Sequence, residues 1–187
     1  MLELRHISHC FDSLQVLKDV DLTLRPGQRI ALMAPSGAGK TTLLRIALGL
    51  LKPGSGTVEN RFSTVAAVFQ EPRLLPWRTA LENVNLVLGD RRETLEKARY
   101  QLEQLGLGDA AEKYPAELSG GMQQRVAIAR ALAAEAELLI LDEPFKAMDG
   151  PLRRQVMDRV AAVNAAILLV THEKEEAAAL GCDIVNL

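Results

Sequence analysis

A chain of 187 residues is long enough to bury its own core and short enough for one domain of the usual ~100–200 residues. Its 22 Lys plus Arg against 24 Asp plus Glu leave a net charge of −2, without the basic excess that nucleic-acid binding uses, so no nucleic-acid partner is expected. No apolar run approaches the roughly 20 residues of a membrane span, Met1 is not followed by a secretory leader, and Cys10 and Cys182 have no metal-ligand or disulfide-framework spacing, so a cytoplasmic location is expected.

In chain order, residues 2–7 and 20–24 alternate apolar and polar side chains, as strands with one wet face do, and predict an antiparallel flank. Residues 29–33, 138–141 and 167–170 are almost continuously apolar, the pattern of parallel strands covered on both faces. Between them, residues 76–105 read as a helix with Leu95, Ala98, Leu102 and Leu105 in one stripe, ended by Gly106 and Gly108. A second helix runs from a Ser119 cap to about residue 134. The expectation is one α/β domain over 1–187: a mainly parallel core at about 1–71 and 135–187, and a helical insertion at about 72–134. The parallel runs end in Pro35-Ser36, Asp142-Glu143 and Thr171-His172, and ligands of open parallel sheets bind at such carboxyl ends, so these clusters should converge.

The strand at 29–33 runs into Ala34-Pro35-Ser36-Gly37-Ala38-Gly39-Lys40-Thr41-Thr42 and then into a helix, the context a phosphate-binding P-loop requires. Gly37 and Gly39 let backbone N–H groups turn onto phosphate oxygens, and the helix N-terminus adds positive potential. Lys40 is placed to reach the β- and γ-phosphates, and the Thr41 hydroxyl to ligate Mg²⁺. The usual first glycine of the loop is Ala34; alanine is harmless there at negative φ and costs about 1 kcal/mol or more at positive φ.

Leu118-Ser119-Gly120-Gly121-Met122-Gln123-Gln124-Arg125 is a second anion cradle: a serine hydroxyl, two units without side chains and a helix start. It resembles the signature of ABC-type ATPases, with Met122 and Gln123 matching a variant of its tail, and the resemblance extends over almost the whole chain. It implies a P-loop NTPase fold of ABC type, ATP and Mg²⁺ as cofactors, and a head-to-tail dimer with a second ATPase subunit. Ser119, Gly120, Gly121 and Gln123 of one subunit would then face the nucleotide on the other's loop, together with Asp149 of the D-loop. The resemblance further implies Asp142 on the metal, Glu143 as the base for water, Gln70 on metal or water, His172 at the γ-phosphate, and Phe11 stacking on adenine beside Val16. Carboxylates beside Mg²⁺ at a strand end are also what water activation on a triphosphate needs. His6 and His9 lie on the flanking strand and carry no assigned chemistry.

Two departures from the family pattern stand out. Lys146-Ala147-Met148-Asp149 replaces the usual Ser-Ala-Leu-Asp, putting a long cation beside the expected dimer interface, and the chain between Val58 and Val65 is short, implying a trimmed hairpin. The segment Phe69-Gln70-Glu71-Pro72-Arg73-Leu74-Leu75-Pro76-Trp77 resembles the ATPases of importers for nitrate, sulfonates and taurine. By that resemblance, residues 70–77 dock a membrane permease with Trp77 as an apolar anchor, a solute-binding protein acts indirectly, and the chain is peripheral on the inner face of the membrane. The alternatives are a soluble ABC ATPase, which predicts a coiled-coil insertion, basic face or tandem unit that the chain lacks, and a degenerate subunit, prompted by Ala34 and Lys146 and opposed by Glu143 and His172.

Overall fold

The computed structural model describes residues 1–187 apart from Ser36 and Asp149. In chain order its regular elements are β1 (Leu2–Phe11), β2 (Leu14–Leu24), β3 (Arg29–Met33), α1 (Lys40–Ala47), β4 (Ser55–Asn60), β5 (Val65–Val68) and α2 (Ala80–Asn85). These are followed by α3 (Leu95–Gln104), α4 (Gly120–Ala133), β6 (Leu138–Asp142), α5 (Gly150–Ala161), β7 (Ala166–Val170), α6 (Lys174–Ala179) and β8 (Asp183–Asn186). Short 3₁₀ turns link the helices of the 80–120 region.

The apolar runs pair as expected. β5, β6, β7, β3 and β8 form one sheet in that order, with every pairing parallel. All five residues of β6 and of β7 are buried, because helices cover one face of the sheet and α1 with the strands β1 and β2 covers the other, leaving no wet side to select for polar residues. The alternating runs form the antiparallel flank β2-β1-β4, and residues 61–64 cross directly from β4 to β5. All four sheet strands that carry site residues, β3, β5, β6 and β7, present their carboxyl ends at one edge, which is what brings distant segments of chain together.

The single helix expected at 76–105 is two helices. Gly89 at φ +94 and Asp90 at φ +56 turn the chain between α2 and α3, and Arg78 ties back to Asp90 at 2.8 Å. The apolar stripe belongs to the second half: Ala98, Leu102 and Leu105 are fully buried. The first half starts on a capping box that the sequence carries as Thr79-x-x-Glu82, with the Glu82 N–H donating to Thr79 Oγ1 at 3.2 Å and the Thr79 N–H to Glu82 Oε2 at 2.8 Å.

Helix α4 is the link between insertion and sheet. Gln124 Nε2 donates to Phe69 O at 3.1 Å, and Arg130 donates to the carbonyls of Pro72 and Arg73, each at 3.1 Å. The segment after β5 is therefore held to the same helix that Ser119 caps.

The two cysteines differ in reactivity by position. Cys10 is exposed, whereas Cys182 packs against the core and burial pushes its thiol up to about 11. A raised thiol pKa means the fold favours the neutral form, so the thiolate that attacks a labelling reagent is scarce at pH 8. One equivalent of a maleimide should therefore modify Cys10 first, with Cys182 following only at higher pH or on unfolding; equal rates at pH 8, read by mass spectrometry, would refute this.

Candidate active site

The loop after β3 is shaped by glycine and by a buried lysine. Gly39 has φ +82, and a Cβ there would collide with the Val16 carbonyl oxygen, so only glycine permits the approach of the loop to β2. Ala34 is not among the described residues with positive φ, so its methyl group meets no backbone penalty. Lys40, 7% exposed, donates through Nζ to Ala34 O at 2.6 Å and to Pro35 O at 2.9 Å. An ammonium has three N–H groups, so one is left for an anion lying in the loop. Ser36, expected within the loop, lies outside the described residues.

At the end of β6, Asp142 is 3% exposed and accepts a hydrogen bond from Thr41 Oγ1 at 2.9 Å. Burial holds its carboxyl above the usual range, against the opposing effect of the Thr41 bond. A buried carboxylate beside a hydroxyl, with the Gln70 carboxamide lining the same cavity, is a set of hard oxygen donors that suits Mg²⁺.

Glu143 follows in a left-handed conformation, φ +44, which costs a non-glycine residue about 1–2 kcal/mol. Its N–H donates to Val170 O at 2.9 Å, which pins the turn to the end of β7. The carboxylate is held from both sides: Oε1 lies 2.5 Å from His172 Nε2 and Oε2 lies 2.9 Å from Lys146 Nζ. Burial alone would raise its pKa, but Lys146 and then His172 outweigh that and set it below the ordinary glutamate value.

A cavity of about 310 Å³ gathers these groups; among its lining residues are Val16, Gly37, Gly39, Thr42, Gln70 and His172, with Lys40, Thr41, Asp142, Glu143 and Lys146. Phe11 does not line it: the ring is 46% exposed and meets His9 edge-on at 4.7 Å between centroids. Nor does the Ser119–Gly121 run. Ser119 and Gly120 are exposed on the outside of the subunit, Ser119 Oγ accepts from the Met122 N–H at 3.3 Å, and a Cβ on Gly120 would meet nothing within 4 Å. Gln123, expected at the nucleotide, has its amide nitrogen committed to Pro115 O at 3.0 Å and Leu118 O at 3.1 Å, so in this subunit it supports the turn before α4. Asp149 lies outside the described residues.

Lys146, expected beside the dimer interface, also makes a contact within its own chain that the sequence alone does not give: its ammonium lies 2.9 Å from the Glu143 carboxylate. The spacing Glu143-x-x-Lys146 is the available signal, because residues three apart face each other when the chain turns helically.

A strand-to-helix phosphate loop, a buried Asp bonded to the loop threonine, and a helical insertion ending in an outward Ser-Gly-Gly helix start define a P-loop fold of the ATP-binding-cassette kind. Residues 17–146 match the family described as ABC transporter. The chain is 45% identical to the aliphatic sulfonates import ATP-binding protein SsuB 1 of Rhodococcus jostii, covering 100% of this chain and 78% of that one. It is 42% identical to the nitrate import ATP-binding protein NrtC of Synechococcus elongatus, over 100% of this chain and 32% of that longer protein. Among solved structures, the dimeric post-hydrolysis state of the ATP-binding cassette MJ0796 bound to ADP and Pi superposes with a TM-score of 0.92 at 30% identity, covering 100% and 94% of the two chains. The chain belongs to the ABC transporter family.

Proposed function

We propose that this protein is the ATP-hydrolysing subunit of a bacterial ABC importer of the sulfonate and nitrate class, working as a head-to-tail dimer beneath a membrane permease. The observation that carries the reading is the division of the site. One subunit gathers Lys40, Thr41, Asp142, Glu143 and His172 around a single cavity, while its Ser119–Gly121 cradle faces outward with no phosphate of its own to hold.

The geometry supports the following roles. The free N–H of Lys40 and the backbone of the loop hold the β- and γ-phosphates; Thr41, Asp142 and Gln70 supply oxygens to Mg²⁺, which when bound neutralises charge developing on the phosphates. Glu143 takes the proton of the attacking water, and His172, whose Nε2 reaches Glu143, orients that carboxylate and the γ-phosphate. Val16 borders the loop, and Phe11, exposed where β1 turns into β2, receives the adenine face. Ser119 and Gly121 of the second subunit close over the phosphate as the helix N-terminus of α4 meets its charge. Closure on the γ-phosphate and opening after its release is the switch that drives the permease.

Trp77 is 70% exposed beside Leu74 and Leu75, an apolar anchor at the junction of sheet and insertion that suits a helix of the permease. No described helix is long and apolar enough to cross a membrane, which fits a subunit docked on the cytoplasmic face. A strain lacking this gene should fail to grow on an alkanesulfonate as sole sulfur source and grow normally on sulfate. Failure on nitrate alone would assign the nitrate class instead, and unimpaired growth on both would count against the import reading.

A further inference from the structure

Both oxygens of the Glu143 carboxylate are engaged, one by His172 Nε2 at 2.5 Å and the other by Lys146 Nζ at 2.9 Å. A general base must offer an oxygen to its water at about 2.6–3.2 Å. With a cation on one oxygen and a ring on the other, the group is held against rotation and the charge that draws the proton is neutralised. The two halves of the ion pair are unequally free: the Glu143 side chain is 13% exposed and that of Lys146 is 64% exposed. Lys146 is therefore the half that can leave.

A route for removing it is built into the same subunit. Gly121 packs so closely on the loop after β6 that a Cβ there would stand 2.7 Å from the Ala147 carbonyl oxygen, and Ala147 adjoins Lys146. A shift at the start of α4 is thus passed through backbone contact to the residue beside the latch.

We propose that Lys146 is a positioning residue for hydrolysis: it latches Glu143 in the unpaired subunit and withdraws when that subunit's Ser119–Gly121 run engages the nucleotide held by its partner. Engagement at one site thereby frees the base at the other, so neither site hydrolyses before both are assembled. The proposal rests on the head-to-tail dimer and on Glu143 as base.

The test is Mg-ATP turnover of the full chain as a function of protein concentration, for wild type, K146S and K146R. Loss of a largely exposed ion pair should lower the protein concentration giving half-maximal turnover about two- to fivefold in K146S. K146R, which keeps a cation in reach of Glu143, should return the midpoint toward wild type. A midpoint unmoved in K146S overturns the latch. So does a tenfold drop in maximal rate, which would make Lys146 a phosphate-contacting group. Including E143Q separates the two levels: if E143Q hydrolyses like wild type the base assignment itself is wrong, whereas an inactive E143Q beside an unmoved K146S rejects the latch alone.

Discussion

Glu143→Gln should lower steady-state ATP hydrolysis by about two to four orders of magnitude, the usual contribution of a positioned general base. The substitution keeps the volume and the left-handed turn, and a carboxamide still accepts from Lys146 or His172 through its oxygen, so the fold and the nucleotide cavity should persist. What it loses is the ability to take a proton from water. Closure on ATP without hydrolysis then leaves nothing to reopen the pair, so the variant should elute as an ATP-dependent dimer on size exclusion while wild type cycles back to monomer. Turnover by the variant within about threefold of wild type would remove Glu143 from the base role and return attention to His172.

Ser119→Arg should be comparably severe for turnover and nearly silent for nucleotide binding to the isolated subunit. Ser119 is exposed, and the only described hydrogen bond of its side chain is the cap on the Met122 N–H at 3.3 Å, so the fold loses about 1 kcal/mol of capping. The cavity that holds Lys40, Thr41 and Asp142 does not include it. At the face of a head-to-tail partner, however, a long cation replaces a small hydroxyl where the two cradles must meet the γ-phosphate, and closure is blocked. The check is a pair of measurements on one preparation: fluorescent-nucleotide affinity at high dilution, expected within about twofold of wild type, and ATPase rate at high concentration, expected at background. Loss of affinity in the dilute subunit would place Ser119 in its own subunit's site and undo the composite arrangement.

The parts of this protein legible in the chain were those whose physics is local. A buried parallel strand needs apolar residues on both faces, and β3, β6 and β7 carry that pattern without interruption. A phosphate loop needs glycines and a lysine at the mouth of a helix, and a helix start needs a cap, so Gly37, Gly39, Lys40 and Ser119 could be picked out by spacing alone. Even the harmlessness of Ala34 turned on a local property, the sign of φ. The break between α2 and α3 was also local, at Gly89-Asp90, but the apolar stripe read across 76–105 lies wholly after it, from Leu95 on.

Contacts between segments far apart in sequence were a different matter, because no periodicity records them. Thr41 meets Asp142 across 101 residues only because β3 and β6 end at the same edge of the sheet, and Gln124 and Arg130 grip the segment after β5 only because α4 lies across it. Lys146 shows the limit most clearly. Residue type and neighbours made it a cation near a dimer face, but the direction of a long flexible side chain is decided by the nearest unpaired charge in three dimensions, and the left-handed turn at Glu143 puts that charge within 2.9 Å. The chain's chemistry was thus written in its order of residues, while the pairing that governs when the chemistry can run came from the sheet edge and turn that bring Lys146, Glu143 and His172 together.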